Sequence, residues 1–254
     1  MSVQIGTGTG SARDTRHTAH VRWRGLFAAT LMAALGIRSA GAGDQISEAE
    51  NALFLADHFR SVRASTVLRY EFTKRGSMED GFADTVEISV QQAKGAKVKT
   101  VSTRCLSGAK KIELPAVERA EGNPVVLCFL ERDIREMERL TGGKSNYFRK
   151  RIRLALADSA EVKPVTIPFG GQQLDARQIR IAPYADDPMR ERYRGYADKY
   201  YVFTLSEKIP GGVYEIDAVI PAPATGGKAT DDKAPPLIEE VLILKSGKTT
   251  EKKF

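Results

Sequence analysis

Few residues of this 254-residue chain have the type and spacing that catalysis requires. A Ser-His-Asp or Cys-His arrangement needs a histidine to carry the proton, and His58 is the only histidine beyond residue 42. It lies in a predicted helix, where we expect a solvated side chain. A zinc site needs three or four His, Cys or carboxylate ligands at suitable spacing. The sequence therefore predicts no catalytic residue, no metal and no cofactor.

The two cysteines, Cys105 and Cys128, are open to two interpretations. In an oxidising compartment they can form a disulfide, which would contribute about 3 kcal/mol by the chain-entropy estimate. They can equally be two separate buried thiols, because Cys128 lies in the apolar run 125–130. The sequence alone does not decide between them.

The densest basic run supplies a candidate anion site. Arg149, Arg151 and Arg153 fall on a predicted helix, where they form either a solvated face beside a buried one or a site for an anion or a lipid head group. The preceding helix interleaves carboxylates such as Asp133 and Glu136 with arginines, which indicates ion pairs within the helix. Tyrosines concentrated between residues 184 and 214 either line a cleft or are ordinary strand residues.

The N-terminal segment has the order of a secretory signal peptide. Arg22 and Arg24 precede an uncharged, Leu- and Ala-rich run over 26–37, and Ala40-Gly41-Ala42 provides the small-x-small cleavage pattern. We predict that residues 1–42 are removed and that the protein is periplasmic or secreted. Loss of five Arg and one Asp lowers the formal charge from +7 to +3, which does not favour a polyanion-binding protein.

The first predicted elements of the chain are one helix and three strands, and they would help to position any site. Ser47 and Glu50 have the spacing of a capping box, and apolar residues at helical intervals predict a helix over about 47–62. The period then changes to two. This alternation predicts three antiparallel strands near 67–73, 86–90 and 98–106.

The rest of the chain predicts a helical insertion and then more strands. Asn123-Pro124 offers a helix start and Gly142-Gly143 a helix end, and Asn146 can cap a second helix, so that an αα-hairpin is expected. Five further strands are predicted near 165–169, 174–181, 199–205, 213–220 and 237–244. A flexible excursion is predicted over 221–236. We expect one α+β domain over 43–254, with a curved, mainly antiparallel sheet or incomplete β-barrel of about eight strands.

This order of elements resembles the periplasmic lipoprotein-carrier family. The resemblance depends on element order over roughly 47–245 and on the strand Leu68-Arg69-Tyr70-Glu71-Phe72 after the first helix. It implies an incomplete, strongly curved β-barrel closed by helices and able to hold acyl chains. The long middle helices and the 221–236 excursion depart from the family, and no functional residue of the family can be matched.

The leading hypothesis is therefore an exported, non-enzymatic envelope protein that binds a lipid, an acyl chain or a lipidated partner in an apolar cavity. The residues predicted to line it are Tyr70, Phe72, Val86, Ile88, Tyr214 and Ile216. The alternative is an envelope scaffold or assembly factor that acts through surface contacts with another protein, which an exposed apolar patch would favour. Neither hypothesis predicts nucleic-acid binding or a transmembrane span in the mature chain.

Overall fold

The computed structural model describes residues 45–93, 95–223 and 235–249, so the predicted signal peptide and most of the predicted excursion lie outside them. The described part contains one sheet and four α-helical segments. The strands are β1 (Thr66–Arg75), β2 (Phe82–Gln91), β3 (Thr100–Cys105), β4 (Val117–Glu118), β5 (Glu161–Phe169), β6 (Gln172–Ile181), β7 (Tyr200–Leu205), β8 (Val213–Ile220) and β9 (Ile238–Thr249). The helices are α1 (Glu48–Glu50), continued by a π-helical turn (Asn51–Leu55), α2 (Val125–Thr141), α3 (Ser145–Asp158) and α4 (Arg190–Tyr193), with 3₁₀ turns at Gly108–Lys110 and Arg194–Tyr196.

All nine strands pair antiparallel in the order β4-β3-β2-β1-β9-β8-β7-β6-β5. The pairing of β1 with β9 joins the N-terminal and C-terminal groups of strands, and no ladder between described residues joins β4 to β5. The predicted α+β class, the antiparallel sheet and the inserted αα-hairpin are confirmed. The ninth strand, β4, has only two residues, which is too short for alternation to predict.

One face of the sheet is buried against the helices. Strand side chains alternate between the two faces, and on β1 this places Leu68, Tyr70 and Phe72 in the core while Arg69 points away. Helix α2 contacts β3 and β8, and α3 contacts β6. We call the face that carries the core the inner face and the opposite one the outer face.

The N-terminal helix is shorter than the predicted 47–62. Its capping box is present, with the Ser47 hydroxyl accepting from the Glu50 N–H and the Glu50 carboxylate accepting from the Ser47 N–H, both at 3.0 Å. The helix ends at Leu55, and the Asp57 carboxylate then accepts the N–H of Phe59 at 3.2 Å. Such local side-chain bonds offer the backbone an alternative to helix, which explains the early end.

His58 differs from the solvated helical residue that the sequence predicts. Its Nε2 lies 2.9 Å from the Ala52 carbonyl oxygen, and its Nδ1 accepts the backbone N–H of Asn123 at 3.0 Å. The neutral ring, with its proton on Nε2, satisfies both bonds. Burial lowers the pKa of His58. The histidine therefore joins the N-terminal helix to the start of α2 and has a structural role.

The two middle helices form a hairpin. The side chain of Asn123 accepts the N–H of Val125 at 3.1 Å, which supplies the predicted cap of α2. At the other end, Gly142 adopts the left-handed conformation with φ of 68°, as residues that terminate helices commonly do. Helix α3 then begins at Ser145, one residue before the predicted cap Asn146.

Cys105 and Cys128 form a disulfide, so the alternative of two separate thiols is wrong. Cys105 is the last residue of β3 and Cys128 lies in the first turn of α2, and both are buried. The disulfide fixes the beginning of α2 to the sheet.

Candidate functional site

Five of the six residues predicted to line a cavity lie together on the inner face. Each is at most 1% exposed and belongs to one continuous core. The five are Tyr70, Phe72, Val86, Ile88 and Ile216. Because they fill this core between sheet and helices, any ligand there must take the place of packed side chains.

The sixth residue, Tyr214, is only partly buried and packs against the edge of the same core. The register between β7 and β8 shifts at Thr204/Leu205, and this irregularity interrupts the alternation on which the prediction depended. Val213 is fully buried instead, and Tyr214 is only partly buried. Tyr214 as a cavity-lining residue stays a prediction, and hydrophobic alternation alone does not reveal the bulge beside it.

The Tyr70 hydroxyl is fully hydrogen-bonded inside the core. It donates to the Val213 carbonyl oxygen at 3.2 Å and accepts from the Asn123 side-chain amide at 2.9 Å. The same amide donates to the Gly211 carbonyl oxygen at 2.8 Å. Burial raises the pKa of Tyr70. A buried hydroxyl with both partners satisfied is a structural element rather than a reactive group.

The inner face changes from apolar to charged at one end of the strands. The register aligns Tyr201, Ala218, Glu240, Lys74 and Phe82 in a row across β7, β8, β9, β1 and β2. Helix α2 and two loops add charged side chains above this row. We call the resulting group the polar rim, which comprises Lys74, Glu79, Arg132, Asp133, Glu136, Arg139, Lys199 and Glu240.

Ion pairs connect the polar rim of the sheet to α2. The Asp133 carboxylate accepts from the Lys199 ammonium and, at 2.5 Å, from the Tyr201 hydroxyl. Arg132 pairs with Glu240. Four of these five side chains are almost completely inaccessible, since Asp133, Lys199, Tyr201 and Glu240 are each at most 1% exposed, and Arg132 is also buried.

A second group of rim contacts lies nearer the surface. Lys74 donates to Glu136 at 2.6 Å and to Glu79 at 2.5 Å, and Arg139 pairs with the same two carboxylates. Although burial opposes ionisation, the donors Arg139 and Lys74 lower the pKa of Glu136 to about 2. The four cations and four anions of the polar rim cancel in charge.

Most of these contacts differ from the ion pairs predicted within α2. Only Arg139–Glu136 is an intrahelical pair among the contacts just described, whereas Arg132, Asp133 and Glu136 reach partners on the sheet and its loops. The sequence contains a signal for this arrangement. Strand alternation places Lys74 on the same face as Leu68 and Phe72, and Glu240 on the same face as Leu242, and two buried charges require partners.

The arginines of the predicted anion site point to different partners. Arg149 makes a bidentate pair with Glu131, at 2.9 and 2.6 Å. Arg151 donates to the Pro183 carbonyl oxygen at 2.9 Å and pairs with Asp187 at 3.2 Å. Arg153 also interacts within the chain. Because these contacts occupy the guanidinium groups, the geometry gives no support to anion binding, which stays a prediction.

The tyrosine-rich segment packs into the core instead of lining a cleft. Tyr184 and Tyr193 surround Phe148 with ring centroids 5.8 and 5.6 Å away, and both tyrosines are at most 5% exposed. Asp187 holds the segment in place, since its carboxylate accepts the Tyr147 hydroxyl at 2.5 Å and the Met189 N–H at 2.7 Å. The second bond closes a local turn at Asp187.

Two small cavities of the described residues lie at the surface, away from the inner-face residues named above. One, of about 280 Å³, lies between α1 and the end of α3. The other, of about 220 Å³, lies between β6 and the turn after β7.

In the described ranges, no cluster of three or more His, Cys, Asp or Glu could hold a metal ion. No described helix is long and apolar enough to cross a membrane.

No family model matches this sequence, and no curated protein matches it. Among solved structures, the lipoprotein LppX of Mycobacterium tuberculosis is similar with a TM-score of 0.30 and 8% identity, covering 73% of this chain and 88% of LppX. A LolA superfamily protein from Nitrosomonas europaea is similar with a TM-score of 0.22 and 12% identity, covering 80% of this chain and 94% of that protein. The likeness to the lipoprotein-carrier fold is one of topology, and TM-scores this low assign neither ligand nor activity.

Proposed function

We propose that this chain is an exported, non-catalytic envelope protein that binds an acyl chain between the inner face and the α2–α3 hairpin. The observation that carries the proposal is the continuous apolar inner face, which includes β3 to β7 and is covered by the hairpin of α2 and α3. Apolar surface of this kind provides most of the binding energy for a hydrocarbon ligand. The buried disulfide agrees with export to an oxidising compartment.

An acyl chain can enter only if the hairpin moves away from the sheet. The disulfide restrains the beginning of α2, and the polar rim restrains its second half. In this proposal the described arrangement is the closed state, and a bound acyl chain replaces helix side chains that contact the inner face in that state. Such a change requires the two states to differ by only a few kcal/mol.

The scaffold alternative has less support. An exposed apolar patch would favour it, and the large apolar side chains that are well exposed in the described part are Ile46, Leu55 and Met78. Single exposed apolar residues are common on monomeric proteins. The tyrosines of the tyrosine-rich segment are buried or half-buried and add no such patch.

The test is native mass spectrometry of protein purified from the periplasm without detergent and then incubated with palmitate. We expect a one-to-one adduct that disappears on denaturation. After denaturation, the measured mass of the protein should equal that of a chain beginning at Gly43, as the predicted cleavage requires. If folded protein binds no palmitate and carries no co-purified lipid, the carrier proposal is wrong.

Two isoleucine substitutions test where the acyl chain of palmitate binds. Ile216→Ala on the inner face should weaken palmitate binding about tenfold, because a buried isoleucine side chain contributes on the order of 1.5 kcal/mol. Ile243→Ala is the matched control, since Ile243 lies on the outer face of the neighbouring strand β9. Equal affinities of both variants for palmitate would place the ligand elsewhere.

A further inference from the structure

The side chain of His58 lies where three segments of the chain meet. Its Nε2 donates to the Ala52 carbonyl oxygen at 2.9 Å, and its Nδ1 accepts the backbone N–H of Asn123 at 3.0 Å. On a third side lies the turn between β7 and β8, so close that a Cβ atom at Gly212 would be 2.7 Å from the ring. One imidazole therefore contacts the N-terminal helical segment, the start of α2 and a turn of the sheet.

Backbone contacts bring the first two of these segments together around the ring. The backbone N–H of His58 donates to the Glu121 carbonyl oxygen at 3.1 Å. At Gly122, a Cβ atom would lie 2.8 Å from the Leu53 carbonyl oxygen, so the two backbones touch directly. The side chain of Asn123 caps α2. A change at the His58 ring therefore acts on the junction from which α2 begins.

Only the neutral ring can make both of its hydrogen bonds. A neutral imidazole has one donor and one acceptor, whereas a protonated imidazole has two donors. The added proton would sit on Nδ1 and face the backbone N–H of Asn123, donor against donor. A backbone N–H cannot become an acceptor in response. Protonation of His58 therefore removes the bond to Asn123 and leaves a repulsive contact in its place.

Charged groups from three segments face the ring. Asp57 belongs to the same segment, Arg177 to β6 and Glu207 to the turn after β7. The two carboxylates favour a protonated ring and the guanidinium opposes it, while Arg177 also pairs with Glu207 at 3.6 Å. Burial is the largest effect and lowers the pKa of His58. The ring is therefore neutral at pH 7 and gains its proton in acid.

We propose that His58 is an acid-sensitive joint, at which protonation of the ring breaks the bond to Asn123 and loosens the attachment of the N-terminal segment 47–59 to the start of α2. The joint works through two backbone partners that cannot titrate, so the protonation state of one side chain decides whether both bonds form. This inference concerns the conformation of the chain in mild acid and does not depend on acyl-chain binding.

The direction of the pH effect follows from proton linkage. The unfolded chain binds the histidine proton below about pH 6.5, whereas the folded chain binds it only at lower pH. The contribution of His58 to stability is therefore complete above about pH 7. It is lost as the pH falls from about 6.5 towards the pKa of His58 in the folded chain.

The first experiment compares urea unfolding of the wild type and His58→Gln between pH 5 and 8. Glutamine does not titrate, yet its amide offers a donor and an acceptor as the neutral ring does. We expect the equilibrium constant for unfolding of the wild type to rise about tenfold relative to that of the variant between about pH 6.5 and 5. Above about pH 7 their ratio should be constant, because all other titrating groups are common to both proteins.

NMR of the folded wild type provides an independent measurement that does not require the variant. The His58 ring resonances should titrate with a midpoint below about 6.5, the usual value for histidine. As the ring gains its proton, the amides of His58 and Asn123 should lose protection from hydrogen exchange, while that of Ile88 in β2 keeps its protection. A ring midpoint at or above the usual value would overturn the proposal. Equal pH dependence of stability in wild type and His58→Gln, or unchanged protection at Asn123, would also overturn it.

Discussion

Replacing Asp133 with alanine should lower the free energy of unfolding by about 3–5 kcal/mol. The substitution would leave the Lys199 ammonium and the Tyr201 hydroxyl buried without their acceptor. A buried charge without a partner retains its full desolvation penalty, and no ion pair offsets that cost. Urea unfolding followed by circular dichroism measures the loss.

Two further variants separate the buried charge from a general effect on α2. Glu131→Ala removes a carboxylate two residues earlier in the same helix, where the pair with Arg149 is about one third exposed, and should lower stability by less than about 1 kcal/mol. Asp133→Leu combined with Lys199→Met removes both charges and should cost less than either single change. If the double variant is the least stable of the set, the buried pair is not the reason for the loss.

The sequence predicts the sheet well because burial repeats every second residue along each strand. Leu68, Tyr70 and Phe72 on β1 and Val86, Ile88 and Val90 on β2 follow this period without interruption, and all are buried. The αα-hairpin is equally predictable from its glycine end and its asparagine start. These signals are local, so they require no knowledge of which elements come into contact.

The polar rim is harder to predict because its partners are far apart in the sequence. Asp133 and Lys199 are separated by 66 residues, and Arg132 and Glu240 by 108. Helix periodicity alone suggests pairs three or four residues apart. The inward position of Lys74 and Glu240 indicates that buried partners exist, but only the topology of the sheet identifies them.

The difference between local signals and contacts between distant segments also explains why the placement of Tyr214 and the pairing of the cysteines were hard to predict. A bulge adds one residue and shifts the alternation beyond it, and no residue type near Thr204 or Tyr214 marks its position. The spacing of Cys105 and Cys128 is compatible with either pairing or separate burial. The structure shows that they pair, because the fold places the end of β3 beside the first turn of α2.

The polar rim and the disulfide restrain opposite ends of α2, and this arrangement bears on the carrier proposal. The rim consists of ion pairs that can separate and reform, whereas the disulfide is covalent. An opening of the inner face would therefore begin at the second half of α2 and leave its first turn in place. A helix restrained in this way returns to the same position after the ligand leaves.

Removing the disulfide should lower the free energy of unfolding by about 3 kcal/mol, because the crosslink restricts the unfolded chain. Cys105→Ala combined with Cys128→Ala provides the measurement, with urea unfolding compared between the double variant and wild type. Reductant should destabilise the wild type by a similar amount and leave the double variant unchanged.

The free energies of unfolding of wild type and double variant, each measured with and without reductant, distinguish a crosslink from two packed thiols. If wild type and double variant differ equally with and without reductant, the loss comes from packing around two small buried side chains, and the chain contains no disulfide. If the difference disappears in reductant, the stability depends on the oxidised bond. In that case the chain reaches full stability only in an oxidising compartment, which is the environment that the proposed export would provide.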